Sequence, residues 1–255
     1  PENFELDLFS GWAKNVKHRV AYIYDTLEPQ FPLIKKLFSN DDFNLKITSF
    51  NDAVPLLETL TGKNWYCIEQ AVPEGLFTPV AQSEKVIDFS SYGRKLPVFH
   101  AALLEFCKVN GLYYDYTTHA FNHPVAPEDE LYRQYAWHLT HSKFTVSWPV
   151  EVTNPTRAGV LHPVTCRWFE AAASATIIIG RQPANDQFEK MLAPNLVVEI
   201  DPFEAKPVIL SRLDQIYNNY ERLQENAFTT RVANLGRWTW KNKVERMRQL
   251  VGEAI

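Results

Sequence analysis

The chain has 255 residues, 45% of them hydrophobic and 22% charged, with a formal net charge of −4. That length supports one large domain or two modest ones around a real core. The acidic balance excludes a nucleic-acid-binding protein, because no surplus of Lys and Arg is left to neutralise phosphates, yet it permits a local basic pocket. Cys67, Cys107 and Cys166 are odd in number and widely spaced, so no disulfide framework or zinc spacing is readable and a reducing cytoplasm is expected. No apolar run approaches transmembrane length and residues 1–20 carry charges throughout. No spanning helix or signal peptide is therefore read, and peripheral membrane contact stays compatible with the sequence.

Short β-rich runs alternate with helix-like stretches, the pattern of an α/β protein with a parallel sheet. Arg19–Tyr24 (RVAYIY) reads as a buried strand, followed by a helical stretch reaching Phe38. Leu45–Phe50 is the next strand, and Asn51 or Asp52 is placed to cap a helix running through Leu60. Trp65–Ile68 gives a third short strand. Residues 72–82 hold Pro73, Gly75 and Pro79 and break the periodicity, which marks a linker.

A second series begins with a strand at Val86–Ser91 and a helix at Leu96–Val109. Leu112–Thr117 and Phe144–Trp148 read as strands around a helical region at Glu128–Leu139. Cys166–Ser174 reads as a helix, Thr176–Gly180 and Leu196–Ile200 as strands, and the chain is helical from Pro207 onward.

Two stretches carry candidate chemistry. In VIDFSSYGRKLP a strand runs into Gly93-Arg94 and a helix. Ligands of open α/β sheets bind beyond the carboxyl ends of strands, where Gly lets the backbone approach and Arg offers a planar fork of donors to phosphate. In TRAGVLHPVTCRWFEAAASATIIIG, residues 156–180, Pro163 suits a first helical turn. The N–H groups of Val164, Thr165 and Cys166 would then attract an anion, with Arg167 adding charge beside them. Glu170 lies about one turn further along, placed to accept hydrogen bonds from sugar or ribose hydroxyls. The run Ala171–Ala175 implies close packing on the sheet, and a buried carboxylate needs a partner.

Other constellations are weaker. His119 and His123 are four apart and His138 and His141 three apart, without the Glu of HExxH, so no metal site is expected. Cys166 lacks a nucleophile elbow, and no P-loop or GxGxxG occurs. Asp25, between a strand and a helix, is a candidate acid/base or a helix cap.

FEAAASATIIIG resembles the E-A-x-A-x-G-x-x-V-V segment of retaining GT-B glycosyltransferases, in which the glutamate matching Glu170 holds the donor ribose and the preceding helix start holds the diphosphate. Gly93-Arg94 is similar to the G-R pair that opens the donor domain, and RWTWKNKVERM resembles the terminal helices that return toward the first domain. With YIYDTLEP and YGRKLP, the chain is similar to the CgeB-like, spore-coat-associated branch of the group 1 enzymes. Two departures stand out. His162 occupies the place of the family's first glutamate, eight positions before Glu170, and the lysine expected after the G-R pair has no match, Lys95 standing too early and His100 being the nearest polar residue.

The resemblance implies two Rossmann-like domains, with the first reduced or truncated. Residues 1–80 would form an incomplete acceptor-side domain, 81–237 the donor domain, and 238–255 a helix returning to the first. It implies metal-independent sugar transfer from a nucleotide-diphosphate sugar, without a cofactor, to a glycan or lipid-linked acceptor. Gly93, Arg94, Val164, Thr165, Cys166, Arg167 and Glu170 would bind the donor, His162 would sit near the sugar and Asp25 would move the proton. A different class, a non-catalytic nucleotide- or sugar-binding or surface-assembly protein on the same fold, is favoured by the absent first glutamate and the short first domain.

Overall fold

The computed structural model describes residues 16–39, 43–117 and 128–253. It begins with β1 (Val20–Ile23), α1 (Phe31–Phe38), β2 (Leu45–Thr48), α2 (Val54–Thr61) and β3 (Tyr66–Cys67). These strands form a parallel sheet in the order β1-β2-β3, with Thr48 paired to both Ile23 and Cys67. The β-branched and aromatic residues that suggested strands sit on a pleated surface covered on both faces, which is why they read as continuous apolar runs and not as alternation. One face packs Ile23, Ile34, Phe38, Phe50 and Leu57 against α1 and α2.

The second series comprises β4 (Ile87–Ser91), α3 (Pro97–Asn110), β5 (Tyr114–Tyr116), α4 (Glu128–Thr140), β6 (Ser142–Ser147), α5 (Val150–Thr153), α6 (Pro155–Ala158), α7 (Cys166–Ala173), β7 (Ile177–Gly180), α8 (Phe188–Met191) and β8 (Val197–Glu199). Three helices close the described chain: α9 (Lys206–Asn218), α10 (Tyr220–Trp238) and α11 (Trp240–Glu253). The five strands are parallel in the order β5-β4-β6-β7-β8. Chain direction across the sheet reverses between β4 and β6, so the loops after these two strands diverge and leave a crevice at their carboxyl ends.

Each face of this sheet has its own core. Phe89, Phe106, Phe144 and Ile179 pack with α3 and α9. Trp168, Phe169, Ile178 and Trp238 pack with α4, α7, α8 and α10. The alanines of α7 are all but fully buried, so a larger residue there would push the helix off the sheet.

α11 returns to the first sheet, where Leu250 joins Leu45, Ile47 and Ile68 on the face opposite α1 and α2. The crossing is tied by backbone bonds from Val72 N–H to the Trp238 carbonyl and from Trp240 N–H to the Val72 carbonyl. Thr239 is extended and divides the helical tail into α10 and α11.

Two local expectations are corrected. α2 is capped by Ala53, without a side-chain cap bond, after a 3-10 turn at Asn51–Ala53. Asn51 and Asp52 instead bond to Asn185 and to the His162 N–H. Pro163 does not open a helix: α7 begins at Cys166 with Thr165 as its cap residue. His119 and His123 lie outside the described residues, whereas His138 pairs with Asp115 at 2.6 Å and His141 Nδ1 donates to the Trp137 carbonyl at 2.8 Å.

Gly180 ends β7 with φ +155°, and a side-chain carbon there would run into the Ser147 carbonyl of the neighbouring strand. Gly236 lies inside α10 with open space around it. Opposite signs follow. Gly180→Ala should lower the urea midpoint by disturbing the β6–β7 ladder, and Gly236→Ala should raise stability by about 0.5–1 kcal/mol through the glycine's lost backbone entropy.

Candidate functional site

A cleft of about 670 Å³ opens between the two sheets, on the side to which their strands deliver carboxyl ends. From the first sheet it is lined by Tyr24, Asp25, Leu27, Phe50 and Gln70. From the second it receives Tyr92, Gly93, Arg94 and Lys95 after β4, Trp148 after β6, Arg157 from α6, and Thr165, Cys166 and Arg167 from the start of α7. Arg94 and Thr165, which the sequence set 71 positions apart, thus face the same space.

The cleft is a basic site in an acidic protein. It holds the cations Arg94, Lys95, Arg157 and Arg167, against Asp25 as the carboxylate of the lining. Burial and the nearby charges of Arg157 and Arg167 lower the pKa of Arg94, while Asp25 opposes the shift. Burial and Arg167 lower that of Lys95, whose ammonium donates to the Thr117 carbonyl. Like charges confined to one concave wall favour an anion that can bridge them.

Gly93 has φ +118°, a backbone conformation that disfavours side chains. A side-chain carbon there would also lie 3.3 Å from the Arg167 guanidinium, so the bare backbone leaves that group its place. On its other side Arg167 lies over the Tyr135 ring, 5.6 Å from the centroid. Burial would lower the pKa of Arg167, but the adjacent Tyr135 and Glu170 carry it above its ordinary value.

Gln70 joins the two walls. Its fully buried amide donates to the Tyr24 carbonyl at 3.0 Å and to Asp25 Oδ1 at 2.9 Å, and its carbonyl oxygen accepts the Cys166 N–H. One of the three helix-start donors expected to meet a ligand is therefore already bonded within the protein. Val164 is buried in the core, and Thr165 is the cap residue on the cleft wall.

Glu170 and His162 stand apart from the cleft lining. Glu170 is 3% exposed and accepts from the Tyr132 hydroxyl at 2.9 Å and the Tyr135 hydroxyl at 3.0 Å, one on each oxygen. Burial raises its pKa, opposed by Arg167, the two tyrosines and the Cys166 thiol. The His162 backbone donates to Asp52 across the seam at 2.5 Å, and its ring lies 3.4 Å from Glu151.

Sequence reasoning overlooked Gln70, Tyr132 and Tyr135, for which no local signal existed, and assigned no part to Arg157 or Lys95. The two cations were visible as charges beside the motifs, but only the fold turns them inward. Among the described residues no group of three or more His, Cys, Asp or Glu side chains is arranged to hold a metal ion, and no helix is long and apolar enough to cross a membrane.

Two solved structures share this arrangement of sheets and helices. A glycosyltransferase from Rickettsia africae ESF-5 superposes with a TM-score of 0.52 at 10% identity, over 92% of this chain and 70% of that one. TarM gives 0.54 at 10% identity, over 90% of this chain and 49% of its own. The fold is α/β, Rossmann-like and of the GT-B type. This chain thus spans about half the length of TarM, and at such identity the likeness is one of fold. No family model and no curated protein matches the sequence.

Two expectations follow. Gln70→Ala leaves the Cys166 N–H and the Asp25 side chain without their amide partner and should destabilise the protein by about 1–3 kcal/mol in urea titration. Burial pushes the thiols of Cys67, Cys107 and Cys166 up to about 12 from an ordinary 9.0. Their folded values exceed the unfolded one, so the stability they contribute is complete below pH 9 and is lost as pH rises toward 12. Iodoacetamide at pH 8.5 should alkylate them slowly in the folded protein and fast in urea, as mass spectrometry would read.

Proposed function

We propose that this chain is a glycosyltransferase that uses a nucleotide-diphosphate sugar as donor. The carrying observation is the convergence of Arg94, Lys95, Arg157 and Arg167 on one cleft at the strand-order reversal of the second sheet. The glycosyltransferase named among the fold relatives supports that reading. The diphosphate lies along Arg94 and Arg167 beside Thr165, with Lys95 and Arg157 contributing to the same positive field. Transfer breaks the bond between the anomeric carbon and the diphosphate oxygen, and negative charge grows on the departing group. Fixed cations in a partly water-excluded cleft stabilise that charge at the moment it forms, so we assign a metal-independent, hexosyltransferase-like reaction.

Asp25 projects from the opposite wall, oriented by the Gln70 amide, and is our candidate to take the proton of the attacking acceptor hydroxyl. Trp148 and Tyr24 are aromatic side chains of the same lining. The acceptor we assign is a glycan or lipid-linked sugar at a cell surface, glycosylated from the cytoplasmic side, and we place the chain in the CgeB-like branch.

The reading is tested by incubating the protein with UDP-, GDP-, ADP- and dTDP-sugars and measuring nucleoside diphosphate release with and without glycan acceptors. Donor binding without release in any combination would favour a non-catalytic binding protein. Arg94→Ala should weaken donor binding by about 1.5–3 kcal/mol, the range for a charged hydrogen bond. Asp25→Asn should lower kcat while leaving the donor dissociation constant within about threefold, since it removes a proton acceptor and not a phosphate contact.

A further inference from the structure

Glu170 is a buried acid outside the cleft lining, and its chemistry is already spoken for. Both carboxylate oxygens accept tyrosine hydroxyls, from Tyr132 at 2.9 Å and Tyr135 at 3.0 Å. Those tyrosines stand one turn apart on α4 and stack on each other with ring centroids 6.2 Å apart. Tyr92 closes on Tyr135 edge to face at 5.4 Å, and Phe77 packs on both α4 tyrosines at 5.7 and 6.1 Å. The Tyr135 ring is therefore held by its hydroxyl at one end and by neighbouring rings on its sides.

On that ring rests the Arg167 guanidinium, 5.6 Å from the centroid. Its other side is bounded by the backbone of Gly93. Arg167 and Glu170 are three positions apart on α7 and so share a face of the helix. A long arginine side chain has many rotamers, and one that must meet a diphosphate in a fixed orientation gains from a rigid support.

We infer that Glu170 is a positioning residue: it fixes the Tyr135 ring on which the Arg167 guanidinium lies, and so aims that guanidinium at the donor diphosphate without touching the ribose. This inference rests on the reading of the cleft as a diphosphate site. It assigns the tyrosine pair a part in phosphate recognition, and it means that the 2′-hydroxyl of the donor is not read by Glu170.

The test uses the whole chain and ligands that separate phosphate from ribose. Isothermal titration measures inorganic pyrophosphate, then UDP, GDP and ADP with their 2′-deoxy counterparts, against wild type, Glu170→Gln, Tyr135→Phe, Arg167→Gln and the Glu170→Gln, Arg167→Gln double variant. Glu170→Gln and Tyr135→Phe should each weaken pyrophosphate by about tenfold and weaken ribose and deoxyribose nucleotides by the same factor. The double variant should lose no more than Arg167→Gln alone, because both changes act on one interaction, whereas a general loosening of the fold would add.

Pyrophosphate affinity unchanged in both single variants, or a loss confined to ribonucleotides, overturns the inference and leaves the diphosphate reading standing. Wild type that binds neither pyrophosphate nor any nucleotide overturns both. Circular dichroism checks folding, and if Glu170→Gln does not fold, Tyr135→Phe, which deletes one hydroxyl and keeps the ring, decides the matter alone.

Discussion

The Gln70 amide spans the seam between two parallel sheets, and the geometry of the cleft depends on it. Parallel strands send all their carboxyl ends to one side, so two such sheets meeting end to end bring together loop backbones and helix starts whose polar groups no ladder satisfies. Gln70 meets that demand with one donor group and one acceptor, binding Tyr24 and Asp25 on its own side and the first N–H of α7 on the other. Asp25 and the start of α7 are therefore tied together across the seam by a residue that carries no charge.

Around this bridge the charge is unevenly divided. The chain as a whole is acidic, whereas the cleft gathers four cations, two of which, Arg94 and Lys95, have pKa values lowered by burial and then by the neighbouring positive charges. Crowding like charges in one cleft costs stability, and an anion bridging them would offset that cost. Arg167 is the exception, because Glu170 and Tyr135 beside it favour its charged form. The site thus combines a cation whose charged form its neighbours favour with two, Arg94 and Lys95, whose charged forms burial and nearby positive charge disfavour.

The seam also explains the treatment of α7. Its buried alanines let it sit directly on β6 and β7, which brings its first turn to the cleft and carries Glu170 inward beneath α4. A single short helix therefore presents Thr165, Cys166 and Arg167 to the cleft and sends its acid into the interior. His162, just upstream, is drawn into the contact with Asp52 that closes the far side of the seam.

By itself the sequence determined the alternating strands and helices, the α/β class, and the two cationic positions Arg94 and Arg167, because apolar period, turn residues and charge are properties of near neighbours in the chain. It also showed that Glu170 had to be buried with a partner, from the alanines that follow it. Which partner was decided only in three dimensions. Tyr132 and Tyr135 lie 38 and 35 positions away, on a helix whose packing depends on the whole second sheet, and Gln70 reaches Cys166 over 96 positions. The helix itself reads from Cys166 in the sequence, but the earlier turn that Pro163 suggests does not form, and the Cys166 N–H that it offered to a ligand is bonded to Gln70 instead. Hydrogen-bond partners across a fold leave no periodic trace in the chain, and a carboxylate that reads as open to a ligand in one dimension can be closed by two hydroxyls in three.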